Sequence, residues 1–189
     1  MTDVKIYTDG SCYPNPGPNG GWSSVILLPW NVVFVFGRAE PGVGMGAVPH
    51  NGGLRTTNNR MELLGILMGL RVLPNKTPVV VLSDSLYSIN TITGTANSRA
   101  NLDLISACRN EVARLGPVRF QHVRGHRGDP YNEMADQLAG DGLEALPKDQ
   151  LWRGYCLHAI AYAEGQLGWL GRGKLVQAWY DDEVRLSLT

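Results

Sequence analysis

The chain has 189 residues, 43% of them hydrophobic, and its 17 basic residues are balanced by 17 acidic ones. This length predicts one sizeable domain with at most an appendage, and the formal net charge of zero argues against avid nonspecific binding of nucleic acid. No apolar run approaches the roughly 20 residues that cross a bilayer and no signal peptide is visible, so we expect a cytoplasmic protein without a membrane partner. The three cysteines (Cys12, Cys108 and Cys156) are far apart and predict reduced thiols.

The first third of the chain predicts strands and loops. Alternating apolar residues predict a strand over 4–8, and a stretch rich in proline and glycine over 14–21 predicts a turn. Two further strands are predicted over 22–28 and 32–38. The glycine-rich segment 41–54 has no periodicity and predicts a loop.

The next hundred residues predict helices alternating with strands. The continuous apolar run 79–83 is typical of an interior strand covered on both faces. Around it we predict, in chain order, a helix capped by 57–59 and ended by Pro74, a helix over 85–92, a polar hinge over 93–100, a helix over 101–115, a strand over 118–123 and a helix over 131–146. The order predicts an α/β fold with a mixed central sheet of about five strands flanked by helices.

The composition changes after Pro147. Residues 147–189 are rich in tryptophan, tyrosine and glycine, and we interpret them as a C-terminal extension of uncertain structure. Its aromatic and basic residues could stack on bases and contact phosphates. The interpretation that we favour is packing on the core or on a second subunit. We expect a monomer, with a dimer through this extension as the alternative.

Four acidic residues stand in contexts that do not suit an exposed carboxylate. Asp9 and Asp84 follow apolar strand-like runs, Glu62 is the lone acid of an apolar helical segment, and Asp136 lies in the last predicted helix. Burying such carboxylates is costly unless a cation collects them, and oxygen ligands suit Mg²⁺ or Mn²⁺. If the strand ends are neighbours, the four groups can hold two metals about 3.5–4 Å apart, the geometry of phosphodiester hydrolysis.

Short motifs around these acids resemble type 1 ribonuclease H. In order along the chain they are Tyr7-Thr8-Asp9-Gly10-Ser11, Asn15-Pro16-Gly17-Pro18, Thr56-Thr57-Asn58-Asn59-Arg60-Met61-Glu62-Leu63, Ser83-Asp84-Ser85, Val123-Arg124-Gly125-His126 and Asn132-Glu133-Met134-Ala135-Asp136. One such motif is a weak signal, whereas the whole set in register from about residue 4 to 146 is a strong one. The resemblance implies a ribonuclease H-like fold with a catalytic domain over 1–146.

The resemblance also implies an activity: metal-dependent, sequence-independent endonucleolytic cleavage of the RNA strand in RNA–DNA hybrids, leaving 5′-phosphate and 3′-hydroxyl ends. It implies two Mg²⁺ ions, with Mn²⁺ as a substitute, and a set of roles for residues of this chain. The metal-binding carboxylates of the family are matched by Asp9, Glu62, Asp84 and Asp136. A mobile histidine that assists proton transfer or product release is matched by His126. Residues that contact the minor groove are matched by Asn15, Asn58 and Asn59, and a phosphate-binding threonine is matched by Thr57. Cys12 is a further candidate for the groove wall.

Two departures from the family pattern qualify these expectations. Leu86 stands where a glutamine is usual, and the short segment between Asp84 and Asn101 leaves no room for the basic handle of many bacterial members, which predicts weaker hybrid binding. Alternatives are a related nuclease that tolerates double-stranded RNA, a hybrid-binding module without catalysis, and the nuclease portion of a polymerase. The start at Met1, directly before the first strand, favours a free-standing protein over the last of these.

Overall fold

The computed structural model describes residues 3–28, 32–39, 48–50, 53–125 and 127–144. Within these ranges the chain forms seven strands and four helices. Their bounds are β1 Val4–Ser11, β2 Gly20–Leu27, β3 Val32–Ala39, β4 Val48–His50, β5 Gly53–Arg55, α1 Asn58–Arg71, β6 Val79–Ser83, α2 Leu86–Thr93, α3 Leu102–Leu115, β7 Val118–His122 and α4 Pro130–Glu144. The extension 147–189 lies outside the described residues.

A mixed five-stranded sheet forms the centre of the fold, in the order β3-β2-β1-β6-β7. Strand β1 pairs antiparallel with β2 and parallel with β6, and β6 pairs parallel with β7. The α/β class and the five-stranded mixed sheet predicted from the sequence are confirmed. Strand β1 lies between β2 and β6, and β2 pairs with it as far as Ser11, whereas the pairing with β6 ends at Thr8.

Helices cover both faces of the sheet. Side chains of successive strand residues point to opposite faces, so Ile6 and Val81 pack with α1, α2 and α3, while Tyr7 and Val80 pack in a second cluster with residues of α4. Burial of apolar side chains on both faces is the main stabilising contribution. Among the described helices, none is both long and apolar enough to cross a membrane.

The predicted loop over 41–54 is wrong in its last part. Strands β4 and β5 pair antiparallel there, with Val48 opposite Arg55 and His50 opposite Gly53. Three-residue strands are too short to show periodicity, which is why the pattern was missed. The dipeptide Asn51-Gly52 between them is a frequent hairpin connection and is the signal that predicts this pairing.

A buried arginine ties α1 to α3. The Arg60 side chain is 1% exposed and its guanidinium contacts Asp103 at 2.7 Å, while the Asp103 side chain is 46% exposed. Arg60 also donates to Asn101 Oδ1 at 3.2 Å, and Asn101 donates to the Tyr87 hydroxyl at 2.9 Å. The hydrogen bond from Arg60 lowers the pKa of Asp103. This network fixes the start of α1 against the connection between α2 and α3.

We predict that Asp103→Ala costs about 3 kcal/mol of unfolding free energy, because it leaves the buried Arg60 guanidinium without its carboxylate. Urea unfolding of the two proteins would measure the difference. Asp3→Ala is the matched control, since its partner Arg119 is 71% exposed and a surface pair contributes at most about 1 kcal/mol. Equal losses in the two variants would show that burial of Arg60 does not determine the cost.

Candidate active site

Two aspartates come to the same level of the sheet through the strand register. In the parallel pair of β1 and β6, Thr8 lies opposite Ser83, so the next residues, Asp9 and Asp84, leave the paired segment side by side. Ser23 on β2 lies opposite Asp9 on the other flank. Parallel strands that end together create a crevice at their carboxyl ends, the usual ligand position in α/β proteins.

Helix α1 brings the third carboxylate to this crevice. Glu62 lies one turn from the start of α1, whose N-cap Thr57 accepts a hydrogen bond from Arg60 N. Close contact between β1 and α1 requires glycine at position 10, since a Cβ there would lie 2.1 Å from the Glu62 backbone nitrogen. As a result, one carboxylate oxygen from each of Asp9, Glu62 and Asp84 lies within 4.8 Å of the others.

The fourth predicted carboxylate belongs to α4, which packs on the face of the sheet opposite α1. The hydroxyl of Ser23 donates to the carbonyl oxygen of Ala135 at 2.6 Å, which fixes the middle of α4 against β2. Asp136, the next residue, lies close enough for its charge to raise the pKa of Asp9. Asp136 therefore lies near Asp9 but is not one of the three carboxylates that lie within 4.8 Å of one another.

Burial and mutual repulsion shift the acid–base properties of the cluster. Burial, with smaller contributions from the charges of Asp84 and Asp136, raises the pKa of Asp9 to about 7, although the amide of Gly10 donates to Asp9 Oδ1 at 2.7 Å. Burial and then the charge of Asp9 raise the pKa of Glu62 well above its ordinary value. The contact between the two side chains raises the pKa of Glu62 and lowers that of Asp9, so without a cation a proton is favoured on Glu62 over Asp9.

The cluster fits a divalent metal. Carboxylate oxygens are the ligands that Mg²⁺ and Mn²⁺ prefer, and here three of them converge on one point. Glu62 Oε2 is buried and has no hydrogen-bond partner among the described residues. A buried acceptor without a partner is unfavourable, and a metal ion bound by this oxygen would remove the penalty.

Four polar residues predicted to contact substrate lie at the start of α1 and on the loop that follows β1. Asn15 is exposed, and its Oδ1 accepts a hydrogen bond from the backbone nitrogen of Asn58 at 3.3 Å. Asn59 is exposed beside Asn58, and Thr57 acts as the N-cap. Because the contact joins the two segments, these residues form one polar edge next to the carboxylates.

Buried contacts of Cys12 and backbone hydrogen bonds hold the loop after β1 in place. Cys12 is 5% exposed, and its Sγ lies 3.3–3.4 Å from the carbonyl oxygens of Pro14, Asn19 and Thr56. The backbones of Gly17 and Thr56 also exchange two hydrogen bonds, of 3.0 and 2.7 Å. Cys12 therefore supports the edge that carries Asn15. The predicted histidine, His126, lies outside the described residues.

Comparison with known proteins places the chain in a family. The sequence model of the RNase H family matches residues 1–144. The ribonuclease HI of Pseudomonas aeruginosa is 39% identical over 164 residues, covering 78% of this chain and all of the relative. The ribonuclease H of Bordetella avium is 37% identical over 159 residues, covering 77% of this chain and 94% of the relative.

Solved structures show the same fold at lower sequence identity. The N-terminal RNase H domain of a Mycobacterium tuberculosis protein superposes with a TM-score of 0.59 at 23% identity, covering 77% of this chain and 96% of the neighbour. RNase H1 of Halobacterium salinarum gives a TM-score of 0.54 at 22% identity, covering 77% of this chain and 100% of the neighbour. LC11-RNase H1, solved in complex with an RNA/DNA hybrid, gives a TM-score of 0.57 at 19% identity, covering 75% of this chain and 97% of the neighbour. The family match over residues 1–144 and the bacterial relatives establish that the chain belongs to the ribonuclease H family and is a ribonuclease H enzyme.

Proposed function

We propose that this enzyme is an endonuclease that hydrolyses the RNA strand of RNA–DNA hybrids by a two-metal mechanism, without sequence preference, and leaves 5′-phosphate and 3′-hydroxyl ends. The observation that carries the proposal is the convergence of Asp9, Glu62 and Asp84 within 4.8 Å. The relatives named ribonuclease H and the neighbour solved with a hybrid support the choice of substrate.

Four carboxylates of this chain would hold the metal: Asp9, Glu62, Asp84 and Asp136. Two Mg²⁺ ions, or Mn²⁺ in their place, would supply Lewis-acid chemistry that activates water and stabilises the leaving oxygen. The protein contributes a fixed, largely buried donor set on a rigid sheet, so little reorganisation is needed when metal and substrate bind. A pure hybrid-binding module would gain nothing from converging negative charges that repel phosphates.

The polar edge formed by Asn15, Thr57, Asn58 and Asn59 is proposed to bind the hybrid. Short amide side chains reach groove edges and sugars without reading a base sequence, and the 2′-hydroxyl is the group that distinguishes RNA from DNA. Cys12 would shape this edge from beneath, and His126 would assist proton transfer or product release near the carboxylates. We further propose that the enzyme acts as a monomer in the cytoplasm, with residues 1–146 as the catalytic domain.

The test is cleavage of a labelled RNA–DNA hybrid with Mg²⁺ and then with Mn²⁺. Matched single-stranded RNA, double-stranded RNA and double-stranded DNA provide the comparison. Cutting of the RNA strand of the hybrid alone, with both ends identified, is the expected result. Cutting of double-stranded RNA at a similar rate would show that the enzyme is not specific for hybrids. Binding of the hybrid without any cutting would show that the protein is a binding module and not a nuclease.

A stability measurement tests the metal site independently of cleavage. At pH 8 without metal, we expect Glu62→Gln to raise the unfolding free energy by on the order of 1 kcal/mol, because the amide donates to Asp9 as the protonated acid does but carries no ionisable proton. Mg²⁺ should raise the melting temperature of the natural enzyme and not that of the variant. Thermal unfolding with EDTA and with saturating Mg²⁺ provides both values.

Asp3→Asn is the matched control for this measurement, since Asp3 precedes the amino end of β1 and pairs with Arg119. It should leave the effect of Mg²⁺ unchanged. An equal Mg²⁺ effect in the Glu62→Gln variant would contradict the assignment of Glu62 as a metal ligand.

A further inference from the structure

Gly125 lies on the segment that connects β7 to α4 and passes directly beside Asp84. Strand β7 runs parallel to β6 with His122 opposite Ser83. The backbone nitrogen of Val123 donates to the carbonyl oxygen of Ser83 at 3.1 Å. This hydrogen bond holds the start of the connection against the end of β6, where Asp84 leaves the sheet.

The contact leaves no room for a side chain at position 125. A Cβ there would lie 2.5 Å from Asp84 Oδ2 and 3.5 Å from Asp84 Cγ. The described glycines with positive φ are Gly94, Gly116 and Gly128, so Gly125 is not required by a left-handed backbone. Space for the Asp84 carboxylate is the reason for glycine at this position.

Besides the Val123 contact, hydrogen bonds hold described residues that follow position 126. Beyond Gly125, the amide of Gly128 donates to Glu133 Oε1 at 3.0 Å. Asp129 Oδ1 accepts hydrogen bonds from the backbone nitrogens of Tyr131 and Asn132 at the start of α4. The three nearest atoms to a Cβ at position 125 all belong to the flexible Asp84 side chain, so the group that moves is the Asp84 carboxylate, which has to turn to another rotamer.

We propose that Gly125 is a positioning residue for metal binding. Its missing side chain lets Asp84 direct its carboxylate towards Asp9 and Glu62. Any side chain at position 125 turns that carboxylate away and removes one ligand from the cluster. The inference rests on the proposed metal site, and it assigns to Gly125 an effect on metal affinity in addition to any effect on folding.

Gly125→Ala tests this role through metal binding by the full-length protein. Calorimetric titration with Mg²⁺, supported by Mn²⁺ titration followed by electron paramagnetic resonance, should show the dissociation constant raised by about 10–100-fold, the range for a lost positioning contact at a metal site. Gly140→Ala is the control: a Cβ at position 140 meets nothing within 4 Å, and metal affinity should not change.

A second comparison tests whether the alanine turns the Asp84 carboxylate or displaces the backbone. Metal-free melting temperatures are measured for Gly125→Ala with Asp84 present and in an Asp84→Ala background. If the alanine clashes with the carboxylate, any loss of melting temperature disappears in the Asp84→Ala background. A loss of the same size in both backgrounds, or an unchanged metal affinity in Gly125→Ala, would overturn the proposal. Failure of the natural enzyme itself to bind Mg²⁺ would instead refute the proposed metal site.

Discussion

Replacing Asp84 by asparagine is expected to abolish hydrolysis of an RNA–DNA hybrid while leaving the fold and hybrid binding nearly intact. The substitution removes one of three converging carboxylates and keeps the size of the side chain. Metal coordination is expected to contribute several kcal/mol of transition-state stabilisation, so turnover should fall by at least roughly a thousandfold. Single-turnover cleavage with the enzyme in excess of labelled hybrid measures the loss, and a filter-binding titration measures retained affinity.

Asp3→Asn is the control for this substitution, since Asp3 lies at the far end of β1 and pairs with Arg119 at the edge of the sheet. It should cleave like the natural enzyme. The Asp84→Asn variant should also melt no lower in metal-free buffer, because it removes a negative charge from an acidic cluster. Unchanged turnover would refute the role of Asp84 in metal binding.

Alanine substitutions at two glycines of α4 are expected to change stability in opposite directions. A Cβ at position 142 would lie 2.5 Å from the carbonyl oxygen of Gly37 and 3.4 Å from Gly21 Cα, so the helix would have to move away from β2 and β3. Overpacking against backbone costs roughly 3 kcal/mol. Gly140→Ala meets no neighbour and should add up to about 1 kcal/mol, because alanine is the better helix former.

Differential scanning calorimetry of the two variants measures this contrast. For a chain of this length, each kcal/mol corresponds to about 2–4 °C in Tm, so we expect a marked fall for Gly142→Ala and a small rise for Gly140→Ala. Similar shifts in the two variants would show that the contact of α4 with β2 and β3 is looser than the structure indicates.

Local patterns predicted the elements around the site well, because strand ends and helix caps leave clear signals. The run 79–83 and the capping Thr57 predicted β6 and the start of α1, and both are found. The sequence predicts that Asp9, Glu62, Asp84 and Asp136 converge, and the structure brings the carboxylates of the first three within 4.8 Å of one another. Their role as metal ligands, together with the roles of Asp136 and His126, stays a prediction.

Contacts between residues that are far apart in the sequence could not be predicted from local sequence patterns. Burial of the Arg60 side chain arises from contact with residues 41 and 43 positions later, and an arginine near a helix start normally predicts an exposed side chain. Gly10 and Gly125 were visible only as parts of motifs. The space that Gly10 leaves for the Glu62 backbone and Gly125 leaves for the Asp84 side chain depends on tertiary packing. Sequence periodicity carries no information about that packing.

The central position of β1 has a consequence for the order of folding. Strand β1 pairs with β2 nearby and with β6 about 75 residues later, whereas the Ser23–Ala135 hydrogen bond spans 112 residues. Contacts of such sequence separation form slowly, since a long loop has to close first. Asp9, Glu62 and Asp84 can therefore gather on a partly covered sheet before α4 docks. During synthesis, Asp136 would join last, and we expect nascent chains that lack α4 to be catalytically silent.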